Sequence, residues 1–290
     1  MKKVIILIPI FNDWQSFKKL IFEIDKSIDG LKGFIFDCLL INDASTIEQP
    51  FFKKPKNFNS FKILNMKENM GHARCNAFGI RYVCKKENFD NIILMDGDGE
   101  DRPIEIVSLI KKISENPKNS VVAKRIKRSE GPFFQFLYFL HKMITLIFTG
   151  KKINFGNYSC LTKSDAEKIS SKASLWSSYS GTVKKYIGNL DSIDSIRGVR
   201  YFGPSKMSLF NLIIHSFSII AVFKYNVFLR SIIIILPIIF FSQHLGSISF
   251  LLVLSLITFI ISIFLVSSRE KKEELLNSQD NLMNVKDITH

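Results

Sequence analysis

The sequence predicts an α/β fold, a βαβ-type sheet in one large domain followed by membrane-surface helices and a two-helix transmembrane hairpin. Three observations point there. Short apolar runs alternate with helix-period patterns from residue 1 to about 200. Polar residues cluster just after those runs, as Asn12-Asp13, Asn42-Asp43 and Asp96-Gly97-Asp98. Beyond residue 200 the texture changes to long apolar stretches.

In chain order, the apolar runs place strands at 4–9, 34–41, 61–65, 91–95 and 120–123. Between them, Phe17, Leu20, Ile21 and Ile24 recur at helical spacing and predict a helix over 14–27. Further helices are expected over 71–86 and, with Pro103 in its first turn, over 103–115. The first run follows Met1-Lys2-Lys3 and superficially resembles a signal sequence. Asn12, Asp13 and Trp14 stop it without a small-residue cleavage site, so it reads as a buried strand.

The later runs 227–241 and 246–266 are separated by Ser242-Gln243-His244-Leu245. The second has 21 uncharged residues, enough to cross a bilayer core, whereas the first carries Arg230 and Pro237. Lys224, Arg230, Arg269, Lys271 and Lys272 flank the pair and the turn has no Lys or Arg, so the large domain and both termini are expected on the cytoplasmic side of the plasma (inner) membrane.

Two more segments read as membrane-surface helices. One, about 132–148, bears Phe133, Phe134, Phe136, Tyr138, Phe139 and Phe148 beside Lys124, Arg125, Lys127 and Arg128; the other is apolar 207–223. The expected division is a domain over 1–206, an interfacial helix over 207–224, a hairpin over 225–267 and a charged tail over 268–290 whose order is left open.

Composition narrows the function. The 290 residues are 47% hydrophobic and carry 40 Lys+Arg against 26 Asp+Glu, a net +14, which excludes disordered, collagen-like and disulfide-rich chains. Mean hydropathy is nevertheless positive, +0.15, so charge and grease must be segregated. That turns the basicity toward anionic lipid and phosphorylated substrates, with no nucleic-acid partner expected. Cys38, Cys75, Cys84 and Cys160 form no C-x-x-C pair, so neither a zinc site nor a disulfide framework is supported.

The feature richest in chemistry is Ile92-Ile93-Leu94-Met95-Asp96-Gly97-Asp98, an apolar strand that runs into D-x-D. Two carboxylates so placed can share Mg²⁺ or Mn²⁺, and that ion can neutralise a diphosphate. A bare D-x-D is often only a polar turn; Asp43 at a neighbouring strand end raises this one above that reading.

Pro9-Ile10-Phe11-Asn12-Asp13, Leu40-Ile41-Asn42-Asp43-Ala44-Ser45, Glu68-Asn69-Met70-Gly71, Met95-Asp96-Gly97-Asp98 and Asp101-Arg102-Pro103 follow one another in the order and spacing of family 2 glycosyltransferases. They resemble that family's P-x-Y-N-E, V-D-D-G-S, E-N-x-G, D-A-D and D-P-P patterns. Arg200-Tyr201-Phe202-Gly203-Pro204-Ser205-Lys206 resembles the R-x-x-G-x-S-K element of the dolichyl- and polyprenyl-phosphate sugar transferases.

The resemblance implies a GT-A fold with a Rossmann-like sheet, a nucleotide-sugar donor and inversion at the anomeric carbon. It implies that Pro9, Asn12, Asp13, Asn69, Gly71 and Glu100 border the donor, that Asp43 meets its base or ribose, and that Asp96 and Asp98 hold the metal. Asp96, Asp98 and Arg200 would be catalytic, with Arg200, Ser205 and Lys206 over phosphates.

The departures from the pattern carry information. Asn42 replaces the first acid of V-D-D, Ala44 replaces its glycine, and Glu100 stands where the lipid-phosphate enzymes often have Gln. The region that usually reads D-x-x-S-G-F is Asn154-Phe155-Gly156-Asn157-Tyr158, with no carboxylate to act as general base. A polyprenyl monophosphate is already anionic at pH 7 and needs no base; Arg125 and Arg128 are candidates to bind it, or are a solvated face.

Two alternatives stay open. One is a hydroxyl acceptor in envelope polysaccharide or lipopolysaccharide assembly, with Asp101 or Glu100 as base; the other is a non-catalytic sugar-nucleotide-binding membrane module. His72, next to Gly71, reads as a solvent-exposed helix start rather than a ligand contact and Trp176 as a packed aromatic rather than a stacking platform. His141, His215 and His244 are assigned no chemistry, and the oligomeric state is open.

Overall fold

The computed structural model describes residues 1–127, 132–204 and 208–288. In chain order the elements are β1 (Lys2–Ile10), α1 (Trp14–Ile28), β2 (Phe34–Asn42), β3 (Phe58–Met66), α2 (His72–Lys86), β4 (Asn91–Leu94), α3 (Glu105–Glu115), β5 (Ser120–Lys127), α4 (Pro132–Thr149) and β6 (Phe155–Thr162). Then come α5 (Lys163–Ile169), α6 (Tyr179–Tyr186), β7 (Leu190–Ile196), α7 (Leu209–Ala221), α8 (Lys224–Phe240), α9 (Ser242–Leu245), α10 (Ser247–Ser267), α11 (Lys272–Leu276) and β8 (Leu282–Asp287).

The strands form one mixed sheet in the order β7-β5-β6-β4-β1-β2-β3-β8. β4, β1, β2 and β3 run parallel, β6 is antiparallel to β4 and β5, and β8 is antiparallel to β3. β1 is central and buried on both faces, which is why it reads as an unbroken apolar run. Its alternate side chains feed two cores: Ile5 and Leu7 pack with Phe78, Ile80 and Trp176, and Val4, Ile6 and Ile8 with Phe17, Leu20, Ile106 and Leu109.

Four parallel strands ending on one edge bring their following loops together, which is the usual geometry of a ligand crevice in an open α/β sheet. Asp43 N donates to Ile10 O at 2.9 Å and Met95 N to Leu7 O at 3.2 Å, extending the ladder to the residues of interest. Leu94 pairs with Ser159 across the antiparallel β4/β6 ladder, so Asn157 arrives beside Asp96.

The five expected strands and the expected helices are present, with shifted ends. The notable difference lies at the carboxyl end. Residues 268–290, expected as a charged tail, continue into α11 and β8, and β8 covers β3 at the far edge of the sheet. The sheet therefore does not stop at residue 206.

α8 and α10 pack side by side, and α7 meets α8 at 89°. Phe259 of α10 touches Phe148 of α4 and Phe217 of α7, with ring centroids 4.7 and 5.8 Å apart. The charge in α8 has a partner. Arg230 Nη1 donates to Ile147 O at 3.0 Å, at the carboxyl end of α4, where a cation is favoured.

Ala44 has φ 54°, a left-handed backbone that suits the glycine of the family pattern and strains alanine. Ala44→Gly is therefore expected to stabilise the fold by about 1 kcal/mol. An unchanged or lower thermal midpoint in detergent would contradict that.

Candidate active site

The site is built from loop residues at the carboxyl edge. Gly97 lets the D-G-D turn lie against the end of β1: a Cβ there would come within 2.6 Å of Ile10 Cγ2 and 3.1 Å of Pro9 O. Asp96 and Asp98 thus sit beside Pro9, Asn12 and Asp13, as the motif order implies.

Arg200, in the loop after β7, ties this group together. Its Nη1 donates to Asp98 Oδ2 at 2.8 Å and its Nη2 pairs with Asp13. The same loop is laid along the acidic turn by Gly198 N to Glu100 O (2.8 Å) and Tyr201 N to Asp98 O (2.9 Å), while Arg197 pairs with Glu100. Glu100, expected at the donor, is held by that pair.

Asp96 is surrounded differently. Its Oδ1 lies 3.1 Å from His72 Nε2 and accepts from Asn157 Nδ2 at 3.3 Å, and its backbone N–H donates to Asp101 Oδ2 at 2.9 Å. Asp101 is 3% exposed and lies 3.5 Å from Arg125. Arg125 is itself largely covered and packs over Gly156, whose added Cβ would sit 3.3 Å from its Nη2. Arg125, a candidate for the acceptor phosphate, pairs with Asp101, the aspartate that accepts from Asp96 N.

Asp43, expected against the base or ribose, is 3% exposed, and its two oxygens accept from Met70 N (2.8 Å) and Gly71 N (2.9 Å). Asn69 Nδ2 donates to Asp43 O at 3.2 Å. All three residues thus fix one another's loops at the entrance of α2. Asn12, also left-handed with φ 51°, accepts from Thr46 N at 2.8 Å and Ile47 N at 3.0 Å. Arg128, Ser205 and Lys206 lie outside the described residues.

Electrostatically, the turn is a cluster of acids that repel one another. Burial, then Asp96 and Glu100, push Asp98 up to about 6 against the pull of the Glu100 amide and Arg200. Burial and Asp96 raise Asp101 to about 7, opposed by Arg125. Burial would raise Asp96 too, but His72, Arg125 and Asn157 outweigh it and hold this carboxyl well below the usual range. His72 moves up in turn: burial lowers it, and Asp96 more than compensates.

Among the described residues no three His, Cys, Asp or Glu side chains are grouped to hold an ion by themselves. Asp96 and Asp98 still fit a hard cation, because their oxygens share a crowded acidic turn whose protonation tendency a divalent ion would relieve. Phosphate oxygens and water would supply the remaining positions, as Mg²⁺ ordinarily requires.

His72 and Asn157 are the residues that sequence reasoning missed. His72 read as a solvent-exposed helix start, and Asn157 only as a lost acid. The signal was available in part: both follow motif positions, but only the fold shows that they meet at Asp96, Asn157 through the β4/β6 pairing and His72 from the start of α2.

A sequence model described as glycosyl transferase family 2 matches residues 5–177. An uncharacterized protein of Methanocaldococcus jannaschii is 26% identical over 164 residues, covering 54% of this chain and 69% of that protein. Among solved structures, TarS 1–349 of S. aureus in complex with UDP-GlcNAc has TM-score 0.50 at 12% identity, covering 85% of this chain and 73% of that one. A second structure of S. aureus TarS 1–349 is covered over 65% of its length. Glucosyl-3-phosphoglycerate synthase of Mycobacterium tuberculosis, in complex with Mn²⁺, UDP-glucose and phosphoglyceric acid, has TM-score 0.50 at 13% identity, covering 78% and 80%. At such identities the structural likeness speaks for the fold.

Proposed function

Because the chain belongs to glycosyl transferase family 2, we propose that it is a membrane-anchored, inverting transferase that moves a sugar from a nucleotide-diphosphate donor to a lipid-linked acceptor, polyprenyl phosphate first among them, at the cytoplasmic face. The observation that carries this reading is the convergence of Asp13, Asp98 and Arg200 on one strand edge, beside Asp96.

Asp96 and Asp98 would hold Mg²⁺ or Mn²⁺, which supplies charge neutralisation for the departing diphosphate. Arg200 is already at that edge with its guanidinium on Asp98 and Asp13, and it would exchange Asp98 for phosphate oxygens as the donor arrives. A cation placed where negative charge grows favours the transition state over the ground state. Asp43, Asn69 and Gly71 shape the loop around the nucleotide, and Asn12 holds residues 45–47 on the opposite side.

The acceptor reading rests on how the two acids weighed as general base, Asp101 and Glu100, are held. Asp101 is buried against Arg125 and Asp96 N, and Glu100 is paired with Arg197. A phosphate monoester attacks without surrendering a proton, so it suits this site better than a sugar hydroxyl.

Membrane anchoring is supported by α10, whose 21 residues span about 31 Å at 1.5 Å per residue and whose most apolar stretch is only 11% buried. It is the one described helix that is by itself long and apolar enough to cross. α8, at 17 residues, would run beside it, and the 89° bend would then lay α7 in the interface. Phe136, Phe139, Met143 and Ile147 of α4 are exposed in the same region as α8.

Incubating the purified protein with radiolabelled UDP- and GDP-sugars, Mn²⁺ and polyprenyl phosphate tests the reading. Label is expected in the lipid phase. Label in an oligosaccharide but none in lipid would reject the lipid acceptor, and donor binding without turnover on any acceptor would favour a binding module.

A further inference from the structure

The segment that returns from the membrane helix docks on the catalytic domain through more than strand pairing. Leu275 of α11 is fully buried in the core against α2, Arg81 Nη2 donates to Leu276 O at 3.1 Å, and Trp176 Nε1 donates to Glu274 Oε2 at 2.9 Å. β8 then pairs with β3, with Asn284 opposite Asn65.

From Asn284 a relay of side chains crosses the sheet. Asn65 Nδ2 donates to Asn284 Oδ1 at 2.8 Å, Asn42 Nδ2 to Asn65 Oδ1 at 2.9 Å, Ser45 N to Asn42 Oδ1 at 3.0 Å, and Asn12 N to Ser45 Oγ at 2.9 Å. Every amide in the run points the same way. Asn42 and Asn65 are 8% and 9% exposed, so an amide that loses its partner has little water to turn to.

A second arm starts three residues earlier. Asn281 O accepts from Lys67 N at 2.8 Å, its Oδ1 accepts from Glu68 N at 3.1 Å, and its Nδ2 donates to Glu68 O at 3.1 Å. Residues 67 and 68 lead directly into the Asn69-Met70-Gly71 loop held by Asp43. The two arms therefore grip the loops on both sides of Asp43.

We propose that Asn284 and Asn281 are positioning residues of the donor pocket, so that the strand arriving from the membrane helix sets the loops that receive the nucleotide; this rests on the nucleotide-sugar reading above. Asn42, where the family pattern has an acid, has a role on this account: an amide can both donate to Asn65 and accept from Ser45, whereas an ionised carboxylate only accepts.

The test uses the full chain in lipid nanodiscs, with Asn284→Ala, Asn284→Asp and, as a control on the same strand, Met283→Ala. Two readouts are taken beside thermal stability: amide hydrogen exchange at residues 45–47 without nucleotide, and affinity for UDP and for GDP with Mn²⁺. Asn284→Ala is expected to speed exchange at 45–47 and weaken nucleotide binding about threefold to tenfold, the range of one lost hydrogen bond. Asn284→Asp keeps an acceptor for Asn65 and is expected to restore both, and Met283→Ala to change neither.

A lower thermal midpoint with unchanged exchange at 45–47 would overturn the proposal, as would failure of Asp to rescue. If Asn284→Ala does not fold, Asn281→Ser is read in the same way at residues 68–71. Should the wild type bind neither nucleotide, the donor reading falls, and exchange alone then decides whether the relay exists.

Discussion

Asp98→Ala is expected to lower sugar transfer roughly a thousandfold, the scale seen when one charge-stabilising group is removed from a transition state. The fold should survive. Asp98 is an acid kept ionised against burial and against Asp96 and Glu100, so its removal relieves repulsion, and Arg200 retains Asp13. Initial rates of donor consumption with a coupled thermal melt check both halves. Turnover within tenfold of wild type would remove Asp98 from the catalytic group; a collapsed melt would make it a folding residue instead. Asp98→Asn separates charge from shape, since the amide keeps the volume and loses the anion.

Stripping divalent cations at pH 7.5 is expected to abolish turnover, and the loss should reverse on adding Mn²⁺ or Mg²⁺. The stability of the metal-free protein should also depend on pH in a defined direction. Asp98 and Asp101 titrate near 6 and 7 when folded, above the usual carboxylate value of 3.8. A raised folded value means that their contribution to stability is complete below about pH 4 and is lost as pH rises toward 7. Asp96, shifted the other way, contributes above pH 4 and loses its contribution only under stronger acid. Between pH 4 and 7 the metal-free thermal midpoint should therefore fall. Mn²⁺ should raise it by about 5 to 10 °C at pH 7.5 when well above its dissociation constant, and hardly at all at pH 4.5, where protons already occupy the site. A metal-induced shift of equal size at both pH values would contradict the assignment to Asp96 and Asp98.

Much of the sheet could be read from the chain because β1 to β5 announce themselves as apolar runs. The other three strands do not. β6, Phe-Gly-Asn-Tyr-Ser-Cys-Leu-Thr, mixes small polar residues into a buried strand, and β7, Leu-Asp-Ser-Ile-Asp-Ser-Ile, is half polar on a sheet edge. β8 leaves most of its side chains exposed and is held by backbone pairing to a strand more than two hundred residues earlier. Nothing local in Leu-Met-Asn-Val-Lys-Asp demands extension.

The site divides in the same way. Asp13, Asp96, Asp98 and Arg200 were legible because their motifs sit at strand ends, and topology brings strand ends together. The backbone contacts of Asp43 were not, since which of an aspartate's oxygens meets a backbone amide depends on a loop conformation that residue type leaves open. His72 and Asn157 stayed hidden because their links to Asp96 are long-range, through the register of β4 and β6 for Asn157 and through the placement of the start of α2 for His72.

The place of β8 also orders the protein's synthesis. While the chain emerges from the ribosome, every strand from β1 to β7 is available before α8 and α10 are made, but β3 keeps a bare edge until the chain has passed the hairpin and come back. An uncovered edge strand is a template for wrong pairing, and nascent domains carry that hazard for as long as they wait. Synthesis of α8 and α10 thus precedes the closing of the sheet, and a chain that stalls after α10 would leave a nearly finished sheet domain with that aggregation-prone edge open.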